Sequence, residues 1–168
     1  WDEVNERYSG FVTLNEIYKK LNLYILQDYP DLSNYIYKEY GVLFNISLAF
    51  LENFFEIKDI KKVFLLRHFV NFLIFFISTI FFYYTLRNFY SKVVSVIGFL
   101  FLILSPRIFA ESFYNNKDII FLSLYLIAFY FALKFFTQRQ NKFLILFSFF
   151  VALSINIRIL GLLLIVLL

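Results

Sequence analysis

From about residue 63 onward, apolar residues run in blocks broken by short polar connectors. The blocks cover roughly 66–86, 93–109, 119–136 and 143–157, with a further one after Gly161. About 20 apolar residues cross a hydrocarbon core of ~30 Å as a helix, so these blocks predict membrane spans. Upstream the pattern changes. TLNE at Thr13 to Glu16 has capping-box spacing, and Leu14, Ile17, Tyr18, Leu21, Tyr24 and Ile25 then share one face at helical period, which predicts an amphipathic helix starting there. DYPDLSN, Asp28 to Asn34, reads as a turn, because Pro30 restricts Tyr29 and the Asp and Ser side chains offer local backbone caps. VLFNISLAFLENFFEI, Val42 to Ile57, is helical in period but only about 24 Å long at ~1.5 Å per residue. Its polar Asn45, Glu52, Asn53 and Glu56, with Ala49 between, form one stripe, which predicts a helix lying along the membrane surface; the alternative is a crossing whose stripe faces a bundle interior. NIS at Asn45 falls on that stripe and is read as a chance match to a glycosylation acceptor.

Composition places the whole chain in the membrane class: 61% of its 168 residues are hydrophobic and 24% aromatic, with a mean hydropathy of +0.73. The fold class expected is all-α and integral to the membrane. Two regions follow, a polar membrane-adjacent part over 1–62 and a helix bundle over 63–168. The first holds ten of the twelve carboxylates, the second two carboxylates and nine Lys or Arg. With no Cys and only His68 as histidine, thiolate and His-cluster metal sites are excluded. The start at Trp1 and the end inside LGLLLIVLL are those expected of a fragment. Low Ala and Gly with abundant Phe, Ile, Asn, Lys and Tyr point to an AT-rich, bacterial genome.

Charge in the connectors orients the spans. RNFYSK at 87–92 and the stretch from Lys134 through TQRQNK at 137–142 carry Lys and Arg and no acid, which predicts that both lie in the cytoplasm. The net charge of +4 is then a property of cytoplasmic loops rather than a sign of nucleic acid. Counting spans outward places residues 1–62, the connector SPRIFAESFYNNKD at Ser105 to Asp118, and Arg158 on the opposite face. KDIKK at 58–62 runs against this assignment, diluted by Asp59 and Glu56.

The connector is where candidate chemistry concentrates. Arg107, Glu111, Lys117 and Asp118 mix both charge signs with Tyr114, Asn115 and Asn116, a content suited to a sugar or a phosphate; the plain alternative is a wet turn between spans. Arg158 stands in an otherwise apolar segment. Such an arginine costs several kcal/mol unless it is paired or reaches water. Snorkelling to the headgroups would meet that need, and so would binding the phosphate of a lipid-linked substrate. Arg67 and His68 at the head of the first span read as interfacial anchors; the alternative is a catalytic role for His68.

Tyr40-Gly41 before an apolar helix, Arg67 opening the next span, LSPRIF at 104–109, Asp118 and a basic Arg158 before a glycine resemble membrane glycosyltransferases of the GT-C class. The nearest group is the protein O-mannosyltransferase and aminoarabinose-transferase superfamily, the family 39-like enzymes. The resemblance covers nearly the whole chain as a pattern of spans and sparse polar residues, and Glu39 departs from it before the Tyr-Gly pair. It implies a multi-span GT-C helix bundle whose first extracytoplasmic loop carries amphipathic helices and an acidic motif, here WDE at Trp1 to Glu3. It further implies transfer of a sugar from a polyprenyl-phosphate donor to a protein, lipid or glycan acceptor at the outer face, with inversion; with the compositional hint above, the membrane expected is a bacterial plasma membrane. Asp2 would be the base and Glu3 its neighbour in orienting the acceptor. Arg158 would stabilise the leaving phosphate, with Asp118, Lys117, Arg107 and Glu111 binding or ordering the substrate. The Phe-rich faces of 119–136 and 143–157 could supply an apolar groove for the polyprenyl tail; the default reading is that these phenylalanines face lipid.

A divalent ion is possible for a carboxylate-rich loop, but no ligand spacing here decides for one. A different class stays open: a transporter or flippase component in which Arg158, Asp118 and Glu111 line a path, which would show an internal repeat and broken helices near the bilayer centre. No repeat is visible in the sequence. A non-catalytic membrane subunit would need none of Asp2, Asp118 or Arg158.

Overall fold

A computed structural model describes residues 3–23, 29–37 and 41–166. Its helices are α1 (Glu3–Lys20), α2 (Leu43–Phe54), α3 (Ile60–Arg87), α4 (Lys92–Leu104), α5 (Pro106–Tyr114), α6 (Asp118–Gln138), α7 (Asn141–Ile157) and the short α8 (Leu163–Val166), with 3-10 turns at Leu32–Asn34 and Ile159–Leu162. Among the described residues there is no strand. The chain divides into two compact units, Trp1–Arg67 and His68–Leu168.

In the first unit α1 packs on α2. Gly10 makes the approach close: a Cβ there would lie 2.8 Å from the carbonyl carbon of Asn45 and 3.2 Å from its Cβ. Phe11, Leu14 and Ala49 form the apolar centre, with Tyr18, Tyr29 and Ile46 against it, and the Phe11 and Tyr29 rings stack at 5.0 Å. Helix α1 begins ten residues before the capping-box sequence, and Thr13 lies in its interior, where its hydroxyl donates to the Ser9 carbonyl at 2.9 Å. A threonine already inside a helix bonds back to the preceding turn instead of capping the next one. The end of α1 is sharper. Asn22 adopts φ 53°, and Leu23 N–H returns to the Tyr18 carbonyl at 2.9 Å, a Schellman closure that Asn tolerates at the left-handed position. The expected continuation through Tyr24 and Ile25 lies outside the described residues.

The polar stripe of 42–57 divides in this unit: Asn53 and Glu56 are exposed, whereas its other members turn inward. Asn45, Ala49 and Glu52 are all buried. Small Ala49 flanked by hydrogen-bonding groups one turn to either side is a pattern for helix contact as much as for a solvated face.

The second unit holds the long apolar helices. Helix α3 has 28 residues and α6 has 21, about 42 and 31 Å at ~1.5 Å per residue, and both are apolar enough to cross a membrane. Helices α4 and α5 together make a third candidate, bent by 59° at Ser105. The bend follows from Pro106, which has no N–H to continue α4 and keeps Ser105 extended at φ −60°, ψ 114°. The proline then serves as the first residue of α5. Most of the expected connector Ser105 to Asp118 is therefore helix, not loop. Hydroxyls within these helices bond to their own backbone: Ser78, Thr79, Ser112 and Ser154 donate to carbonyls three residues back, and Ser95 and Ser123 to carbonyls four back. In an apolar surrounding that disposes of each polar group inside its own helix.

Helices α6 and α7 form a tight hairpin, turned at Arg139, which takes φ 52°. Ala128 and Ala132, four apart on α6, let it approach Phe147 and Val151 of α7 and Leu164 of α8. Phe131 stacks on Phe150 at 5.7 Å and on Phe143 at 6.4 Å. These phenylalanines fill the hairpin interface, while Phe129, Phe136 and Phe149 of the same two helices are exposed. An apolar pocket of about 290 Å³ lies between α3 and α4, lined by Ile80, Tyr83, Tyr84, Val96, Phe99 and Leu100.

Candidate functional site

The second unit gathers the polar residues of α5, the α5–α6 turn, α6 and α7 into one network. Arg107 and Glu111 lie one turn apart on α5, and Arg107 Nε donates to Glu111 Oε1 at 3.0 Å. Asn115 follows the last residue of α5, and its amide nitrogen donates to both Glu111 Oε2 and Asp118 Oδ2 at 3.1 Å. Its amide oxygen accepts the Asp118 backbone N–H at 3.0 Å. An Asn three residues before the start of a helix is an ordinary way to satisfy one of its unpaired N–H groups. Asp118 begins α6, where the helix dipole favours a carboxylate, and its Oδ1 takes an ion pair from Arg158 Nη2.

Arg158 is positioned by the end of α7. It leaves helical geometry at φ −147°, ψ 134°, with its N–H bonded to the Ser154 carbonyl at 2.9 Å. Its own carbonyl accepts from Gly161 at 2.9 Å, closing the 3-10 turn. Gly161 is required by space: a Cβ would meet Ile155 N and Ser154 Oγ at 2.6 Å. The Arg158 and Asp118 side chains are 39% and 53% exposed, so the pair is reachable by a ligand. Arg158 Nε is buried and has no partner among the described residues.

Of the residues expected to bind substrate, Arg107, Glu111, Asp118 and Arg158 thus come together. Lys117 stands at the N-cap position of α6, directly before Asp118, and makes no side-chain capping bond. Glu3 opens α1 in the first unit, and Asp2 lies outside the described residues. Among the described residues no cluster of three or more His, Cys, Asp or Glu could hold a metal ion.

Sequence reasoning named Asn115 in the connector and Glu52 on the α2 stripe without giving either a partner, and it passed over Asn71. Asn115 is the hub of the network, and its signal was the Asn-x-x-Asp spacing to Asp118. Asn71, inside the apolar run of α3, is 1% exposed and donates to the Ser112 carbonyl at 2.8 Å; a lone Asn in a span was the signal. Glu52, in the first unit, is 2% exposed and accepts from Arg7 Nε at 2.7 Å and Arg67 Nε at 2.5 Å. Arg67 is therefore a buried ion-pair partner and not an interfacial anchor, and its Nη1 and Nη2 have no partner among the described residues.

Long apolar helices carrying a sparse polar network of this kind define an all-α integral membrane protein with a hydrophilic site built on its helix ends. Over residues 47–168 the chain matches the family described as dolichyl-phosphate-mannose-protein mannosyltransferase. That is most of its length, and the chain belongs to this family. It is accordingly a membrane glycosyltransferase of the mannosyltransferase type. No curated protein and no solved structure matches it.

Proposed function

We propose that the protein is a GT-C glycosyltransferase that moves a sugar from a polyprenyl-phosphate donor to an acceptor hydroxyl, on a protein, lipid or glycan, at the extracytoplasmic face of a bacterial plasma membrane. The observation that carries the reading is the Arg158–Asp118 pair at the break after α7, tied through Asn115 to Glu111 and Arg107. Cleaving the sugar–phosphate bond leaves charge on the phosphate, and a fixed cation stabilises that charge as it develops. Asp118 holds one Nη of Arg158, which leaves further N–H donors of the planar fork for phosphate oxygens. Glu111 and Asn115 supply acceptor and donor groups suited to sugar hydroxyls, with Lys117 and Arg107 as flanking cations.

The acceptor hydroxyl must lose its proton as it attacks C1, and Asp2 takes that role, with Glu3 beside it to orient the acceptor. Attack from the face opposite the phosphate inverts the anomeric carbon. No step here draws on a metal ion.

The test is transfer of radiolabelled mannose from polyprenyl-phosphate-mannose by membranes carrying the full-length protein, with Asp2→Asn beside it at equal expression. Transfer in the parent and a loss of about 10²-fold or more in Asp2→Asn supports the assignment. No transfer from any polyprenyl-phosphate sugar, together with movement of substrate across sealed vesicles, would replace it with a transporter.

A further inference from the structure

We propose that Asn71 is a positioning residue for this site: from α3 it caps the C-terminal end of α5 and so holds Glu111 and Asn115 in place. Its effect on catalysis rests on the function proposed above; its effect on α5 does not.

Helix α5 has nine residues, and the bend at Ser105–Pro106 means that α4 does not dictate its direction. The last carbonyls of a helix lack partners within it. At the end of α5, Glu111 is served by Asn115 N–H at 2.8 Å and Tyr114 by Asn116 N–H at 3.1 Å. Ser112 is served from another helix, by Asn71 Nδ2 at 2.8 Å. Ser112 is wholly buried, and its hydroxyl is turned back to the Phe109 carbonyl at 2.7 Å. Water is therefore not at hand to take the place of Asn71.

The neighbour of Asn71 completes the grip. Phe72 stacks flat on Phe113 at 4.8 Å and meets Phe109 edge-on at 6.5 Å. Ring contacts alone allow α5 to slide or roll over α3, whereas one directional hydrogen bond between them selects a single register. Ser112 directly follows Glu111 and lies three residues before Asn115, so the register of α5 sets where both network residues stand.

The amide is a poor choice for stability. Asn71 Oδ1 is buried without a partner among the described residues, an arrangement that an apolar side chain would avoid. Asn71→Leu removes that unpaired oxygen and creates another at Ser112, so the two effects oppose each other. The variant is expected to fold with little change in stability and to lose the order of α5.

These 168 residues hold no cysteine, so in full-length protein with any cysteine elsewhere replaced by serine, Ala110→Cys on the exposed side of α5 can carry a single nitroxide, and Thr137→Cys at the end of α6 a second. In Asn71→Leu the Ala110 label is expected to become more mobile and the distance distribution between the labels to broaden. Asn71→Thr, polar but too short to reach Ser112, is expected to behave alike and decides the matter if the Leu variant does not fold.

In the transfer assay Asn71→Leu is expected to lower kcat by up to about 10²-fold, the size of loss that follows from a displacement of ~1 Å, with little change in donor KM. Most of that loss should vanish when the same change is made in Glu111→Gln/Asn115→Ala. Unchanged label spectra and distances would overturn the proposal, as would a rate loss that adds fully to that of the network variant. A parent without transferase activity would refute the function proposed above, and the label measurements would still decide the role of Asn71 in α5.

Discussion

Replacing Glu52 by Gln puts the buried cluster of the first unit under a sharp test. Its carboxylate is 1% exposed and faces Arg67, whose side chain is 6% exposed, at 2.5 Å, and Arg7, 32% exposed, at 2.7 Å. The amide would keep the shape but leave the Arg67 cation without its counter-charge in a place water hardly reaches. Removing one partner of a buried pair costs about 3–5 kcal/mol. Losing Arg7 alone, through Arg7→Ala, removes one charge-assisted bond near the surface and costs about 1–2 kcal/mol. On the scale of soluble domains of this size, about 2–4 °C of Tm per kcal/mol, Glu52→Gln should lower the midpoint by roughly 6–20 °C. Thermal unfolding of the purified full-length protein in detergent, followed by size-exclusion fluorescence, reads this directly. The double variant Glu52→Leu/Arg67→Met removes both charges together and should recover most of the loss. A midpoint for Glu52→Gln within about 2 °C of the parent, or a double variant less stable than Glu52→Gln, would refute the reasoning.

Two glycines give further predictions. Gly10→Ala would push against the Asn45 backbone, which cannot swing aside as a side chain can, so α1 and α2 must separate; a destabilisation of about 1–3 kcal/mol is expected in the same thermal assay. Gly161→Ala meets Ile155 N and Ser154 Oγ at 2.6 Å and should displace the turn that carries Arg158, lowering transfer rate more than it lowers Tm. Asp118→Asn leaves the half-exposed Arg158 without its partner; stability should change by less than about 1 kcal/mol, while donor KM and kcat should both worsen.

The long apolar helices and the polar interruption between them are legible in the sequence for a simple reason. Lipid demands uniform apolar runs, and charges in such a chain stand out. Arg107, Glu111, Asp118 and Arg158 could be picked on that ground alone, and all four meet in the second unit. Neutral or inward-facing polar groups were harder to read. Asn71 carries no charge to mark it, and Glu52 shares its stripe with Asn53 and Glu56, which stay exposed, so the pattern alone does not say which member of the stripe is buried. The capping-box sequence at Thr13 misled because its spacing is met equally by a threonine bonding back to Ser9 within a longer helix. The Phe-rich faces are divided in a way the pattern does not show: Phe131, Phe147 and Phe150 are spent on joining α6 to α7, where Ala128 and Ala132 make room for them, while Phe129, Phe136 and Phe149 stay exposed.

The most direct test of the central claim is the dependence of mannose transfer on Arg158. With polyprenyl-phosphate-mannose as donor and the full-length protein in liposomes, Arg158→Ala should lower kcat/KM by about 10²–10³-fold, as expected for loss of a donor to a developing oxyanion. Arg158→Lys should recover part of it, because the charge returns but the fork does not. Equal rates in the parent and Arg158→Ala, at equal folded protein, would contradict the account.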